Sequence, residues 1–209
     1  MNTQKFDNYI SDSYKTCAWI NLYYGNLENL LRKLPNPSTY VEIGLAFGFH
    51  METMLKAFNE VKCYGIDPYI PYDPTDCSNI LGKIDTSLSV KENFDLFSLS
   101  VSQRLSKYKN FNHIRETSQT CYNQFDNESI DLIFVDGEHT YEAVKNDCNL
   151  WWDKLKVGGI MAWDDYSNSC APGTKKAIDE FIKNKQLQLH FISNSIDNGN
   201  YTTAYTFKK

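Results

Sequence analysis

Short unbroken apolar runs alternate along this chain with longer stretches in which apolar residues recur every three or four positions. Leu132-Ile133-Phe134-Val135 is the clearest run. Four branched or aromatic residues without a polar break predict a strand covered on both faces, as in a parallel sheet flanked by helices. Residues 40–43, 61–66, 111–114 and 159–163 are further strand candidates. Between them, helical spacing predicts helices over 16–34 (Trp19, Ile20, Tyr23, Leu27, Leu30, Leu31), closed by Pro35-Asn36-Pro37, and over 49–59. Others follow over 90–108 (Phe94, Phe97, Val101, Leu105), 141–155 (Val144, Cys148, Trp151, Trp152) and 174–184 (Ala177, Ile178, Phe181, Ile182). Two alternating segments, 187–192 and 201–207, joined by SNSIDNGN, predict an antiparallel hairpin on the sheet edge. The pattern is α/β, one domain over 1–209 with a helical segment at 1–38. The turn-rich stretch PYIPYDPTDCSNILGK, from Pro68 to Lys83, is too long for a plain connection and predicts a substrate lid over about 68–86.

Composition narrows the partners. The net charge of -5 comes without a Lys/Arg cluster, so a nucleic-acid partner is not expected. No run nears the roughly 18 apolar residues of a membrane span, and MNTQKFDNYISDS lacks the apolar core of a signal peptide, so a cytoplasmic protein is expected. The six cysteines (Cys17, Cys63, Cys77, Cys121, Cys148, Cys170) form no CxxC pair, which points to reduced, structural thiols. A homo-oligomer stays open.

The candidate chemistry sits where strands end. In open α/β sheets ligands bind beyond the carboxyl ends of the strands. DLIFVDGEHTY turns there from apolar to ionisable at Asp136, Glu138 and His139, and GIMAW stops at Asp164-Asp165, so three carboxylates are expected to converge. Strand 40–43 opens into Gly44-Leu45-Ala46-Phe47-Gly48 and then a helix, an arrangement that lets backbone approach a nucleotide-like ligand. Asp67 ends the next strand roughly two dozen residues after Glu42, where an acid can accept hydrogen bonds from both ribose hydroxyls. Ser118 and Gln119, at the rim after strand 111–114, are placed to meet an adenine edge. Plainer roles exist for the same residues: a tight turn at the glycines, a turn cap at Asp67, a helix cap at Thr117 or Ser118, a solvated turn at Asp164-Asp165.

Taken together, the strand–helix units, the GxxxG loop, the acid after the second strand and the terminal hairpin resemble the class I S-adenosylmethionine-dependent methyltransferases over nearly the whole chain. DGEHTYEAV followed by GGIMAWDDY resembles the metal-dependent O-methyltransferases, especially the branch acting on sugars of macrolides and other glycans. The resemblance implies a Rossmann-like, mostly parallel seven-stranded sheet with helices on both faces. It implies Mg²⁺ or another divalent cation on Asp136, Asp164 and Asp165, and a general base at His139. Glu42, Gly44 and Gly48 would line the methionine part of S-adenosylmethionine, with Asp136 nearby; Asp67 would hold the ribose and Ser118 with Gln119 would neighbour adenine. His50 stands where relatives carry a small hydroxyl residue near the methionine carboxylate. The catechol branch has Lys and Asn where this chain has His139 and Asp165, which favours a sugar acceptor. Chemically, a sugar hydroxyl is a weak acid that gains from a hard cation, and histidine ordinarily titrates near 6.5, so it can take the proton near neutral pH. A small-phenol methyltransferase and a non-catalytic binding module on the same fold are the competing expectations.

Overall fold

In a computed structural model, residues 2–16, 25–71, 81–167, 171–193 and 202–209 are described. The elements are α1 (Gln4–Thr16), α2 (Gly25–Leu31), β1 (Thr39–Ile43), α3 (Phe49–Ala57), β2 (Lys62–Ile66), α4 (Val90–Leu105), β3 (Phe111–Ile114), α5 (Ser118–Cys121), β4 (Ile130–Val135), α6 (Tyr141–Trp152), β5 (Leu155–Trp163), α7 (Pro172–Lys185), β6 (His190–Ser193) and β7 (Thr202–Phe207). They form one seven-stranded sheet in the order β3-β2-β1-β4-β5-β7-β6. β1 to β5 run parallel, while β7 is antiparallel to both β5 and β6. This is the expected mostly parallel, Rossmann-like seven-stranded sheet with its terminal antiparallel hairpin.

Alternation along the buried strands divides the core in two. Tyr40, Leu132, Phe134, Ile160 and Ala162 face α1 to α4, packing with Phe6, Leu30, Met51, Met54, Phe97 and Val101. Val41, Ile43, Ile133, Val135, Met161 and Trp163 face the other way, against Val144, Trp151, Ile178 and Phe181. All six residues of β4 are buried, as the unbroken run requires.

Strand order reverses at β1 and β4, where a crevice opens beyond the carboxyl ends. Ladder bonding continues past the strands there: the Asp136 N–H donates to the Ile43 carbonyl (2.8 Å) and the Asp164 N–H to the Val135 carbonyl (3.1 Å). The residues after β1, β4 and β5 therefore lie side by side.

Some boundaries differ from the sequence pattern. Of the N-terminal helix expected over 16–34, the described part is α2 (Gly25–Leu31); residues 17–24, Trp19, Ile20 and Tyr23 among them, lie outside the described residues. α1 carries Phe6, Tyr9, Ile10 and Tyr14 at helical spacing; Phe6 and Ile10 are buried, and Tyr9 and Tyr14 pack on Phe47 and Phe49. Its other anchors are polar: the Ser100 hydroxyl donates to Asp7, and Thr3 Oγ1 to Gln103 (3.3 Å). Helix α6 stops at Trp152 and β5 begins at Leu155, four residues before the predicted start, with Gly158 at φ +81° letting the strand shift register against β4. The middle of the predicted lid, 72–80, lies outside the described residues, as do the loop 168–170, the hairpin turn 194–201, and Cys17, Cys77 and Cys170. Cys63, Cys121 and Cys148 are buried free thiols, each pushed up to about 12 first of all by burial. No helix among the described residues is long and apolar enough to cross a membrane.

Candidate functional site

Each acid of the site is delivered by the end of a strand. Glu42, near the end of β1, is 1% exposed, and the Tyr40 hydroxyl donates to its Oε2 at 2.8 Å. Burial holds its carboxyl well above the usual range; Asp136 and Asp67 push it the same way, against the Tyr40 bond. Asp67 follows β2. It accepts the Ala46 N–H on Oδ2 (2.9 Å) and the Tyr69 N–H on Oδ1 (2.8 Å), and burial still raises its carboxyl. Asp136 follows β4 and is pushed up to about 6, by burial first, with His139 lowering it and Asp165 and Asp67 raising it. Three carboxyls that disfavour one another's ionisation around a glycine loop make a mouth that a cationic ligand would stabilise.

His139 sits between the two acidic loops. Its Nε2 is 3.5 Å from Asp136 Oδ1 and 3.7 Å from Asp165 Oδ2. Asp165 turns toward it by adopting φ +55°, a left-handed conformation for which aspartate is one of the more tolerant residues. Asp164 is buried, and burial together with Asp165 drives its carboxyl well up. The structure thus brings together Asp136, His139 and Asp165. Among the described residues no three His, Cys, Asp or Glu side chains are grouped to hold a metal ion. The donors suit a hard cation in kind, being carboxylates without thiolates, and the raised Asp136 and Asp164 carboxyls are groups that a nearby cation would keep ionised.

Helix α7 braces the histidine loop from behind. A Cβ on Gly173 would lie 2.6 Å from the Tyr141 nitrogen, and the buried Thr174 hydroxyl donates to the His139 carbonyl (3.3 Å). Glu138 accepts from the Thr140 hydroxyl (2.9 Å), so its described contact is within its own loop.

The sequence placed His50 near the methionine end of the donor but not its contacts with Asp136 and Phe134. His50, the second residue of α3, is 9% exposed, tilts against Phe134 at 5.1 Å and places Nε2 4.0 Å from Asp136 Oδ2. Burial lowers its pKa well below the ordinary value, so the ring is neutral at pH 7. A polar residue opening the helix after a glycine loop was the available signal.

Ser118 and Gln119 part company. Gln119 is exposed at the rim, whereas the Ser118 hydroxyl is buried and donates to Asp147 Oδ1 of α6 at 2.5 Å. Burial pushes the Asp147 carboxyl up to about 7, against the Ser118 bond, from a value of 3.8. The folded chain therefore keeps this proton up to about pH 7 while the unfolded chain loses it near pH 4. The contribution to stability is complete below that lower value and declines as pH rises through the window between them, by up to about 4 kcal/mol. Asp147→Asn should accordingly gain stability relative to the parent as pH rises from 4 to 8. Thermal melts of both across that range check it; a difference independent of pH would show that Asp147 ionises normally.

A family model described as a methyltransferase domain matches residues 41–166. An uncharacterised protein of Acanthamoeba polyphaga mimivirus is 27% identical over 168 residues, covering 79% of this chain and 69% of its own. Among solved structures, a candidate caffeoyl-CoA O-methyltransferase from Staphylococcus aureus superposes with a TM-score of 0.62 at 13% identity, over 89% of this chain and 83% of that one. The TDP-rhamnose 3'-O-methyltransferase of calicheamicin biosynthesis gives 0.57 at 19% identity, over 89% and 77%. Spermidine synthase from Thermotoga maritima gives 0.59 at 15% identity, over 90% and 60%. These likenesses carry the fold, which serves more than one chemistry.

Proposed function

The chain belongs to the methyltransferase-domain family, and on that premise we propose that it is an S-adenosylmethionine-dependent O-methyltransferase acting on a sugar hydroxyl of a glycan or glycosylated small molecule. The observation that carries the reading is His139, set between Asp136 and Asp165 beside the crevice at β1 and β4. An imidazole nitrogen within 4 Å of two carboxylates is placed to take a hydroxyl proton, with both carboxylates beside the imidazolium that forms.

When bound, S-adenosylmethionine supplies a methyl group on a sulfonium leaving group, and Mg²⁺ on Asp136, Asp164 and Asp165 would acidify the acceptor hydroxyl. Glu42 and Asp67 offer carboxylates to the cationic and ribose parts of the donor, and the Gly44–Gly48 backbone brings the chain close to it. His139 would accept the hydroxyl proton at its imidazole, held between Asp136 and Asp165. Gly173 and Thr174 keep the His139 backbone from retreating. Aspartate rather than asparagine at 165 and histidine rather than lysine at 139 support the sugar acceptor over a catechol.

Methyl transfer from labelled donor to a panel of vicinal-diol sugars and catechols, with Mg²⁺ and with chelator, tests this. Transfer to sugars that falls by about 10²-fold or more on chelation is expected, given the several kcal/mol a Lewis acid supplies. Equal rates with chelator would remove the cation, and transfer to catechols alone would reassign the acceptor. Calorimetry showing no donor binding would leave only a scaffold.

A further inference from the structure

The glycine loop holds three positive φ angles within five residues: Gly44 at +92°, Ala46 at +41° and Gly48 at +68°. A non-glycine residue stays in such a conformation only where its surroundings impose it. Two side chains far apart in sequence do so here. The Tyr69 hydroxyl donates to the Ala46 carbonyl at 2.7 Å, and the Arg104 guanidinium donates through Nη2 to the Phe47 carbonyl.

We infer that Tyr69 and Arg104 are positioning residues for S-adenosylmethionine, acting through the loop rather than by touching the ligand. The inference rests on the donor assignment above. A trans peptide is planar, with its C=O and N–H pointing in opposite directions. Fixing the Ala46 carbonyl therefore fixes the plane that carries the Phe47 N–H. Fixing the Phe47 carbonyl sets the next plane, whose Gly48 N–H closes the turn on the Leu45 carbonyl at 2.6 Å. Both anchors are themselves immobilised. Tyr69 is 2% exposed, with its ring edge-on to Phe97 (5.8 Å) and His113 (5.7 Å). Arg104 donates to Glu52 and lies over the Phe49 ring at 5.6 Å, and Glu52 is held in turn by Lys107 (3.1 Å) and the Tyr108 hydroxyl (3.2 Å).

Tyr69 also ties the loop to the ribose acid. Its own N–H donates to Asp67 Oδ1 while Asp67 Oδ2 accepts the Ala46 N–H. One residue thus sets both the loop and the carboxylate on which the nucleoside would sit. Losing either anchor should leave the chemistry intact and make the binding surface settle only when ligand arrives, which weakens affinity.

Calorimetric titration of S-adenosylmethionine into the full chain tests this, with Tyr69→Phe, Arg104→Met and Arg104→Lys as variants and Phe181→Leu as a control. Phe181 lies in the core on the opposite face of the sheet, so its variant reports destabilisation alone. About tenfold or greater weakening is expected for Tyr69→Phe and Arg104→Met, partial recovery for Arg104→Lys, and parental affinity for Phe181→Leu at a temperature where all are folded. Should Arg104→Met not fold, Arg104→Lys and Tyr69→Phe carry the test. Parental affinity in Tyr69→Phe and in the folded Arg104 variants overturns the inference alone, as does equal weakening in Phe181→Leu. No binding by the parent overturns the donor assignment and the inference with it.

Discussion

Turnover of the His139→Gln variant should fall by about 10²- to 10⁴-fold while its affinity for S-adenosylmethionine stays within about twofold of the parent, because general-base catalysis contributes on that scale and glutamine cannot take a proton. Glutamine is chosen because it retains a polar group of similar reach between Asp136 and Asp165, so the two acidic loops are not left facing an empty space. The prediction separates two roles for the imidazole. If it moves the proton, turnover carries the loss. If it only spaces the carboxylates, which lie 3.5 and 3.7 Å from Nε2, glutamine preserves most of the rate. Single-turnover rates with a sugar accepted by the parent decide between them, and a rate within about threefold of the parent would remove His139 as the base.

That His139 faces both acidic loops was only half legible in the chain. Its distance from Asp136 is set locally, three residues along the loop that follows β4. Its distance from Asp165 depends on where β5 pairs with β4, on Asp165 adopting φ +55°, and on α7 closing against the His139 carbonyl. The strands themselves were readable because burial on both faces demands unbroken apolar runs, which β4 shows most plainly. The glycine loop and Asp67 were readable because turn chemistry and strand ends are local. What periodicity cannot express is a polar contact between distant segments. Arg104 reaches Phe47 and Glu52 across more than fifty residues, His50 lies near Asp136 across a strand crossover, and Ser118 spends its hydroxyl on Asp147 rather than at the rim. The N-terminal helix lay within the helical segment expected over 1–38, but its polar ties to α4, Ser100 to Asp7 and Thr3 to Gln103, again join distant segments.

Gly44→Ala should be the most damaging single methyl group in the site, lowering the melting temperature by about 4–20 °C and abolishing measurable donor binding. A Cβ at Gly44 would stand 2.0 Å from the Asp136 carbonyl oxygen, 2.4 Å from its carbon and 2.7 Å from the Gly137 Cα. All three are backbone atoms, so no rotamer change can relieve the overlap; either β1 or β4 must shift where Ile43 pairs with Val135. Overpacking at about 1–3 kcal/mol and the left-handed φ of +92° at about 1–2 kcal/mol together come to about 2–5 kcal/mol, against a typical total stability of about 5–15. For a chain of this size each kcal/mol is worth about 2–4 °C. Any shift also moves Asp136, and a displacement near 1 Å at a reacting centre costs about 10²-fold. Gly158→Ala is the matched comparison, since φ there is +81° but nothing lies within 4 Å of the added carbon. It should lose only the conformational part, a few degrees, and keep donor binding. Melting curves and calorimetry on the two variants isolate the steric contribution. Equal melting temperatures would mean that the β1 and β4 loops do not meet at Gly44, and that the crevice at the strand-order reversal is wider than the close approach of Gly44 to Asp136 requires.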